Sequence, residues 1–264
     1  MLRVSPSRLL AAALFVANWA AVFHGWQGIA IQPLWSVSVE EQFYAVWPWL
    51  ARLGRTTILR LSVALMLVAM GTLWLLGGRP GLEVTATWAN TLVQGLFLGG
   101  GALVACLSFP EHNRFRDSTR VLLILSGFTA WIVASVGFHV VRTLSPGAGS
   151  LMAGYALVLV GTALIFYGVA GWNRRKLPRL LILLGRMSYG LYVFHVTVLL
   201  ALYNVTPHLL RVCHVELSPY PTVGAVSIVG LLLTTALTFL SYRYLETPFL
   251  KLKGRFTVVA SRPV

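Results

Sequence analysis

Trp35-Ser36-Val37-Ser38-Val39-Glu40-Glu41-Gln42-Phe43-Tyr44-Ala45-Val46-Trp47-Pro48 sets two of the chain's seven acidic residues side by side at the mouth of an apolar run. Around this stretch the chain is 57% hydrophobic and 11% charged, against about 45–50% and about 25% in soluble domains. That composition describes an integral membrane protein. No hydrophilic stretch is long enough for a second domain, so residues 1–264 read as one membrane domain. A carboxylate costs free energy in such a setting, and the Glu40-Glu41 pair therefore calls for a role.

The implied fold class is all-α, a polytopic bundle of membrane helices. A crossing helix needs about 20 mostly apolar residues. Seven segments qualify: 37–53, 57–77, 88–108, 121–141, 150–171, 180–203 and 222–245. An eighth N-terminal membrane segment, 9–23, is marginal. It would reach only about 22 Å at 1.5 Å per residue, against about 30 Å of hydrocarbon. It crosses a thinned bilayer, or it lies re-entrant or interfacial.

The net charge is +14. A nucleic-acid surface is one reading of a basic chain, but here the cations sit in short loops between apolar runs. One set of loops carries sixteen Arg and Lys residues, among them Arg52, Arg116, Arg120, Arg186, Arg243 and Lys251; the alternate set carries Arg79, Arg142 and Arg211. This asymmetry makes the first set cytoplasmic. The chain is then a multi-pass cell-membrane protein with a cytoplasmic C-terminus and no nucleic-acid partner. Helix 37–53 enters from the outer side, which puts Glu40 and Glu41 near the extracytoplasmic surface. Helix 180–203 runs outward, with Tyr189 shallow on the cytoplasmic side and His195 near mid-membrane. Cys106 and Cys213 have neither disulfide-framework nor zinc spacing. The first 21 residues imitate a signal peptide but lack a small-x-small cleavage site, so they read as membrane-embedded.

Ser36 or Ser38 suits a helix N-cap, and carboxylates in a first turn favour the positive end of the helix dipole. That accounts for one Glu. It accounts less well for Trp35, Gln42, Tyr44, Trp47 and Trp49 in the same stretch. At 100° per residue Glu40, Tyr44 and Trp47 share a face. An interfacial aromatic belt and a functional site both fit this pattern.

Four segments carry a family resemblance. Leu34 to Pro48 resembles the Glu-Glu-Gln-Phe-Tyr string of the acyltransferase 3 family of membrane O-acyltransferases. Phe15-Val16-Ala17-Asn18-Trp19, Gly185-Arg186-Met187-Ser188-Tyr189-Gly190-Leu191-Tyr192-Val193-Phe194-His195 and Ser241-Tyr242-Arg243-Tyr244-Leu245-Glu246-Thr247-Pro248-Phe249 resemble three of its other segments, in the same order. The resemblance implies transfer of an acyl group, usually acetyl, from acyl-CoA to a hydroxyl of a carbohydrate or cell-envelope glycan. Acyl-CoA, as acetyl-CoA, is then the donor substrate, and no tightly bound cofactor or metal is implied. The partners are the lipid bilayer, acyl-CoA and the glycan acceptor.

The catalytic candidates are Glu40, Glu41 and His195. The substrate-binding candidates are Trp35, Ser38, Gln42, Tyr44, Tyr189 and Arg186. Arg186 lies nine residues before His195, on the opposite face of a shared helix. A helix-packing His bonded to a backbone carbonyl is the plainer reading of His195, and interfacial aromatics that of Tyr189. Glu246 is expected in an ion pair among Arg243, Lys251 and Lys253. His208, His214 and Glu216 share a loop, 204–221, without metal-site spacing.

The family's first helix carries a basic residue, ten residues, then a His held to be catalytic. None of the six His residues here has Arg or Lys eleven positions earlier. The resemblance therefore reads as the C-terminal two-thirds of the family pattern, with three helices expected ahead of Met1. An inactive or partial family remnant is the first alternative. A polytopic transporter, built on the same intramembrane His and acidic residues, is the second.

Overall fold

A computed structural model describes residues 5–25, 31–79, 81, 84–107, 115–140, 146–172, 178–213 and 218–256. All regular structure among them is helical: α1 Pro6–Ala13, α2 Ala17–His24, α3 Leu34–Ala51, α4 Arg55–Leu76, α5 Val84–Trp88, α6 Thr91–Leu107, α7 Asp117–Val136, α8 Ala148–Val169, α9 Arg179–Arg186, α10 Ser188–Val212, α11 Pro219–Ser241, a π turn Tyr242–Glu246, and α12 Thr247–Phe256. Among the described residues five spans are long and apolar enough to cross a membrane: Arg55–Leu76, Asp117–Val136, Ala148–Val169, Ser188–Val212 and Pro221–Leu252. The two other expected crossings do not meet that measure. In α3, Glu40, Glu41 and Gln42 dilute 18 residues of otherwise apolar helix. α6 has 17 residues, about 25 Å of helix.

The marginal segment 9–23 is not one helix. Val16 N–H donates to Ala11 O at 2.8 Å and Phe15 N–H to Ala12 O at 3.2 Å. These are the paired bonds of a Schellman turn. Phe15 takes φ 55°, a conformation usually left to Gly. The chain then restarts as α2. Two helices of 8 residues, each about 12 Å long, are too short to cross. The start of α1 (Ser5, Ser7, Arg8) and the end of α2 (His24) line one pocket, so the hairpin returns to the side it left.

Other boundaries also move. Segment 88–108 breaks at Ala89–Asn90, where Asn90 Oδ1 accepts the Leu92 N–H at 2.9 Å and caps α6. Segment 180–203 breaks at Met187, which separates α9 from α10. Arg186 and His195 therefore do not share a helix. α10 continues through Pro207 to Val212, so His208 is helical rather than part of a loop; His214 and Glu216 lie outside the described residues. Arg120 is not a loop cation. It is buried in α7 and donates to Gly168 O at 3.1 Å and Ala170 O at 2.7 Å, satisfying carbonyls at the end of α8.

The helices form two compact units, Val4–Gln27 with Leu34–Lys176, and Met1–Arg3 with Gly28–Pro33 and Leu177–Val264. In the larger unit α4 packs on α6 and α7 on α8 through glycines. A Cβ on Gly99 would lie 2.7 Å from Ser62 O; one on Gly127, 2.6 Å from Gly161 O; one on Gly161, 2.8 Å from Gly127 O. Lipid offers no hydrophobic drive between helices, so such close backbone approach is what holds them together. Ala69, Leu73, Val93, Leu96, Ala134, Leu151 and Tyr155 form the unit's buried core. Elsewhere large apolar side chains face outward, Leu67 at 67% and Leu232 at 65% exposure, as lipid-facing surfaces require.

Candidate functional site

In the larger unit, α2, α3 and the start of α6 meet in a closed ring of three side chains. Asn18 Nδ2 donates to Thr91 Oγ1 at 2.8 Å, Thr91 Oγ1 donates to Gln42 Oε1 at 2.7 Å, and Gln42 Nε2 donates to Asn18 Oδ1 at 2.9 Å. The remaining amide hydrogens are used as well. Asn18 Nδ2 reaches Ala89 O at 3.0 Å and Gln42 Nε2 reaches Phe15 O at 2.7 Å. Both amide NH2 groups are thereby fully used, and each carboxamide oxygen accepts one bond. The left-handed Phe15 exposes the carbonyl that Gln42 takes, so the α1–α2 turn and the ring support one another. Below the ring Ser38, 1% exposed, donates to Leu34 O at 3.0 Å and accepts Ala17 N–H at 3.3 Å.

This network fixes the face of α3 that carries Ser38 and Gln42. α3 begins at Leu34, so Ser36 and Ser38 lie inside the helix rather than capping it and neither Glu falls in its first turn. Glu40 points opposite the Ser38–Gln42 face and Glu41 flanks it. Both are exposed, and among the described residues neither makes an ion pair or hydrogen bond. Tyr44 is 57% exposed, and Phe43 stacks on Trp47 with centroids 4.7 Å apart. Trp35 is half-buried in the first turn of α3. Of the residues expected from sequence to touch substrate, Ser38 and Gln42 spend their polar atoms on the fold. Glu40, Glu41 and Tyr44 present theirs outward. Asn18 and Thr91 had no assigned role. Their signal was weak: isolated polar residues within apolar runs.

In the smaller unit, His195 Nδ1 bonds to Tyr192 O one turn earlier on α10. A carbonyl only accepts, so in neutral His195 the proton sits on Nδ1 and Nε2 keeps its lone pair. Tyr192 Oη donates to Pro33 O at 3.1 Å. Tyr189 is 60% exposed, and Arg186 is exposed at the end of α9. His195 lines a pocket of about 310 Å³ with Leu191, Leu199, Ser227, Gly230, Leu231 and Thr234. Glu246 is not in the expected ion pair with Arg243 or Lys251. The π turn aims it at α10 instead, where its Oε1 lies 3.5 Å from the Cβ position of Gly190. The side chain of Lys253 is outside the described residues. No group of three or more His, Cys, Asp or Glu suited to a metal occurs among the described residues.

The acyltransferase-domain family model, acyltransferase 3, matches residues 4–243. The chain belongs to this family. It is 23% identical over 267 residues to the O-acetyltransferase OatA of Staphylococcus aureus strain NCTC 8325 / PS 47, covering 92% of the chain and 41% of that protein. It is 22% identical, with the same coverage, to the putative O-acetyltransferase SACOL0978 of Staphylococcus aureus strain COL. The chain spans about two fifths of the length of these curated relatives. No solved structure matches it. The family and the apolar helices together make it a multi-pass membrane protein.

Proposed function

We propose that the chain is the membrane part of an O-acyltransferase that moves an acetyl group from acetyl-CoA to a hydroxyl of a cell-envelope glycan. The observation that carries this reading is the pair of exposed carboxylates on α3, without a partner among the described residues and beside a polar ring that fixes the helix, in a chain of the acyltransferase family. Their chemistry suits a hydroxyl-rich acceptor, since carboxylates accept hydrogen bonds from sugar hydroxyls and repel the anionic CoA.

In the reaction the acceptor oxygen attacks the thioester carbonyl, the C–S bond breaks, and CoA leaves as a thiolate that takes up the hydroxyl proton. A base must hold that proton in between. Glu40, Glu41 and His195 Nε2 are the groups named from sequence that keep a lone pair for it. Tyr44 and Tyr189 are exposed hydroxyl donors for substrate. Arg186, at an end that the charge asymmetry makes cytoplasmic, suits the CoA phosphates.

The test is acetyl transfer from radiolabelled acetyl-CoA in membranes of the native host, with the gene expressed from its own locus. Glu40→Gln and Glu41→Gln keep the size of each side chain and remove its charge. At least one is expected to lower transfer about 100-fold or more, the range of a lost general base. Full activity in both variants would refute the assignment. Substrate flux in proteoliposomes without acyl-CoA would favour a transporter instead.

A further inference from the structure

We propose that the pocket between α10 and α11 is a seat for a short acyl chain, with Thr234 as the hydrogen-bond donor to the acyl carbonyl. The inference rests on the acyl-transfer reading above and adds a site to it.

The hydroxyls of α11 fall into two groups. Thr222, Ser227 and Thr235 each donate to the carbonyl four residues back, at 3.0, 2.8 and 2.8 Å. This is the usual way to satisfy a hydroxyl on a membrane helix. Thr234 and Thr238 do not. They are 3% and 0% exposed, and neither Oγ1 has a partner. Both lie toward α10: Thr234 lines the pocket with His195, and Thr238 packs against Gly190. A buried donor without a partner is costly and calls for an explanation.

The pocket around Thr234 defines the missing partner. Its volume, about 310 Å³, is at the lower end of small-ligand sites. Leu191, Leu199 and Leu231 give it apolar walls, and the Ser227 hydroxyl is already used. A sugar would leave most of its hydroxyls unsatisfied here. A short hydrocarbon stem ending in one carbonyl oxygen matches three leucines and one free donor. Gly230 sets the depth, because a Cβ there would lie 2.7 Å from Leu199 Cδ2 and drive that side chain aside.

The experiment compares acetyl-CoA with butyryl-CoA in the membrane assay described above. Gly230→Val is expected to lower the ratio of butyryl to acetyl transfer about tenfold, the lower end of what one or two methylenes are worth in a fitted pocket. Thr234→Val, which keeps the shape and removes the hydroxyl, is expected to lower kcat/KM for both donors about three- to tenfold, the value of one neutral hydrogen bond. Thr234→Ser restores it. An unchanged donor ratio in Gly230→Val, together with wild-type kcat/KM in Thr234→Val, overturns the proposal. A diazirine-bearing butyryl-CoA gives a readout independent of turnover. It is expected to label peptides of α10 and α11, with labelling lost on adding acetyl-CoA. Labelling elsewhere, or labelling that acetyl-CoA does not compete, overturns the acyl seat. Failure of the wild type to use any acyl-CoA removes the parent reading instead.

Discussion

The ring of Asn18, Gln42 and Thr91 gives α3 its rotation, and each member has a distinct share in it. Thr91 donates once and accepts once within the ring. Replacing it by Val leaves Gln42 Oε1 without its donor and removes one of the two acceptors of Asn18 Nδ2. Orphaned buried groups cost about 1–3 kcal/mol each, whereas a hydrogen bond between membrane helices is worth about 0.6 kcal/mol on average. The orphaning term decides the outcome. Thr91→Val is expected to lower the thermal midpoint in detergent, and Thr91→Ser to stay near wild type. Asn18→Leu is expected to cost more than Thr91→Val, because Asn18 makes three side-chain bonds, one of them to the backbone of Ala89. Equal stability of Thr91→Val and Thr91→Ser would show that the ring contributes nothing. Sequence reading found Gln42 but gave it a substrate. It had no means of pairing Asn18 with Thr91, 73 residues apart, because a polar residue in an apolar run announces that it has a partner, not which one.

At the scale of elements, the uniform spans were legible. Runs expected at 57–77, 121–141 and 150–171 are helices Arg55–Leu76, Asp117–Val136 and Ala148–Val169, because hydropathy alone determines a lipid-facing helix. The breaks were less so. Met187 parts α9 from α10 inside an apolar stretch, and Pro207 fails to end α10 although it removes a backbone donor. Neither outcome follows from hydropathy. The helix contacts were equally hidden, since a glycine in a membrane helix is either a contact point or an idle position. Gly161 and Gly71 separate the two cases. A Cβ on Gly161 would lie 2.8 Å from Gly127 O, a backbone atom that cannot rotate away, while one on Gly71 would meet nothing within 4 Å. Gly161→Ala is expected to destabilise the protein by about 1–3 kcal/mol through overpacking. Gly71→Ala is expected to be neutral or stabilising by up to about 1 kcal/mol, the helix-propensity gain. Chemical denaturation of both variants in mixed micelles checks the contrast, and a neutral Gly161→Ala would remove the close approach of α7 and α8 as a source of stability.

For the whole molecule the open quantity is orientation, and two native cysteines make it measurable. Setting aside Arg120, which is buried and spent on α8 carbonyls, the two sets of cations read from sequence number fifteen against three. The removed residue barely weakens the rule, because orientation follows the Lys and Arg bias of short loops. That bias predicts a cytoplasmic face for the cation-rich set. α10 then runs outward from Ser188 and ends at Val212, which puts the exposed Cys213 on the outer side. The same bias requires α6 to run inward, and its last turn then holds Cys106 at the cytoplasmic end. A membrane-impermeant maleimide applied to intact cells is expected to label Cys213 and to spare Cys106, which reacts only after permeabilisation. Cys106→Ala and Cys213→Ala single variants assign the signal to each thiol. The reverse pattern would invert the topology. It would also turn α3 over, so that Glu40 and Glu41, the seventh and eighth of its 18 residues, would lie on the cytoplasmic side of its midpoint, toward the anionic donor instead of the glycan. The labelling experiment thus tests the proposed acceptor role of the pair without any assay of transfer.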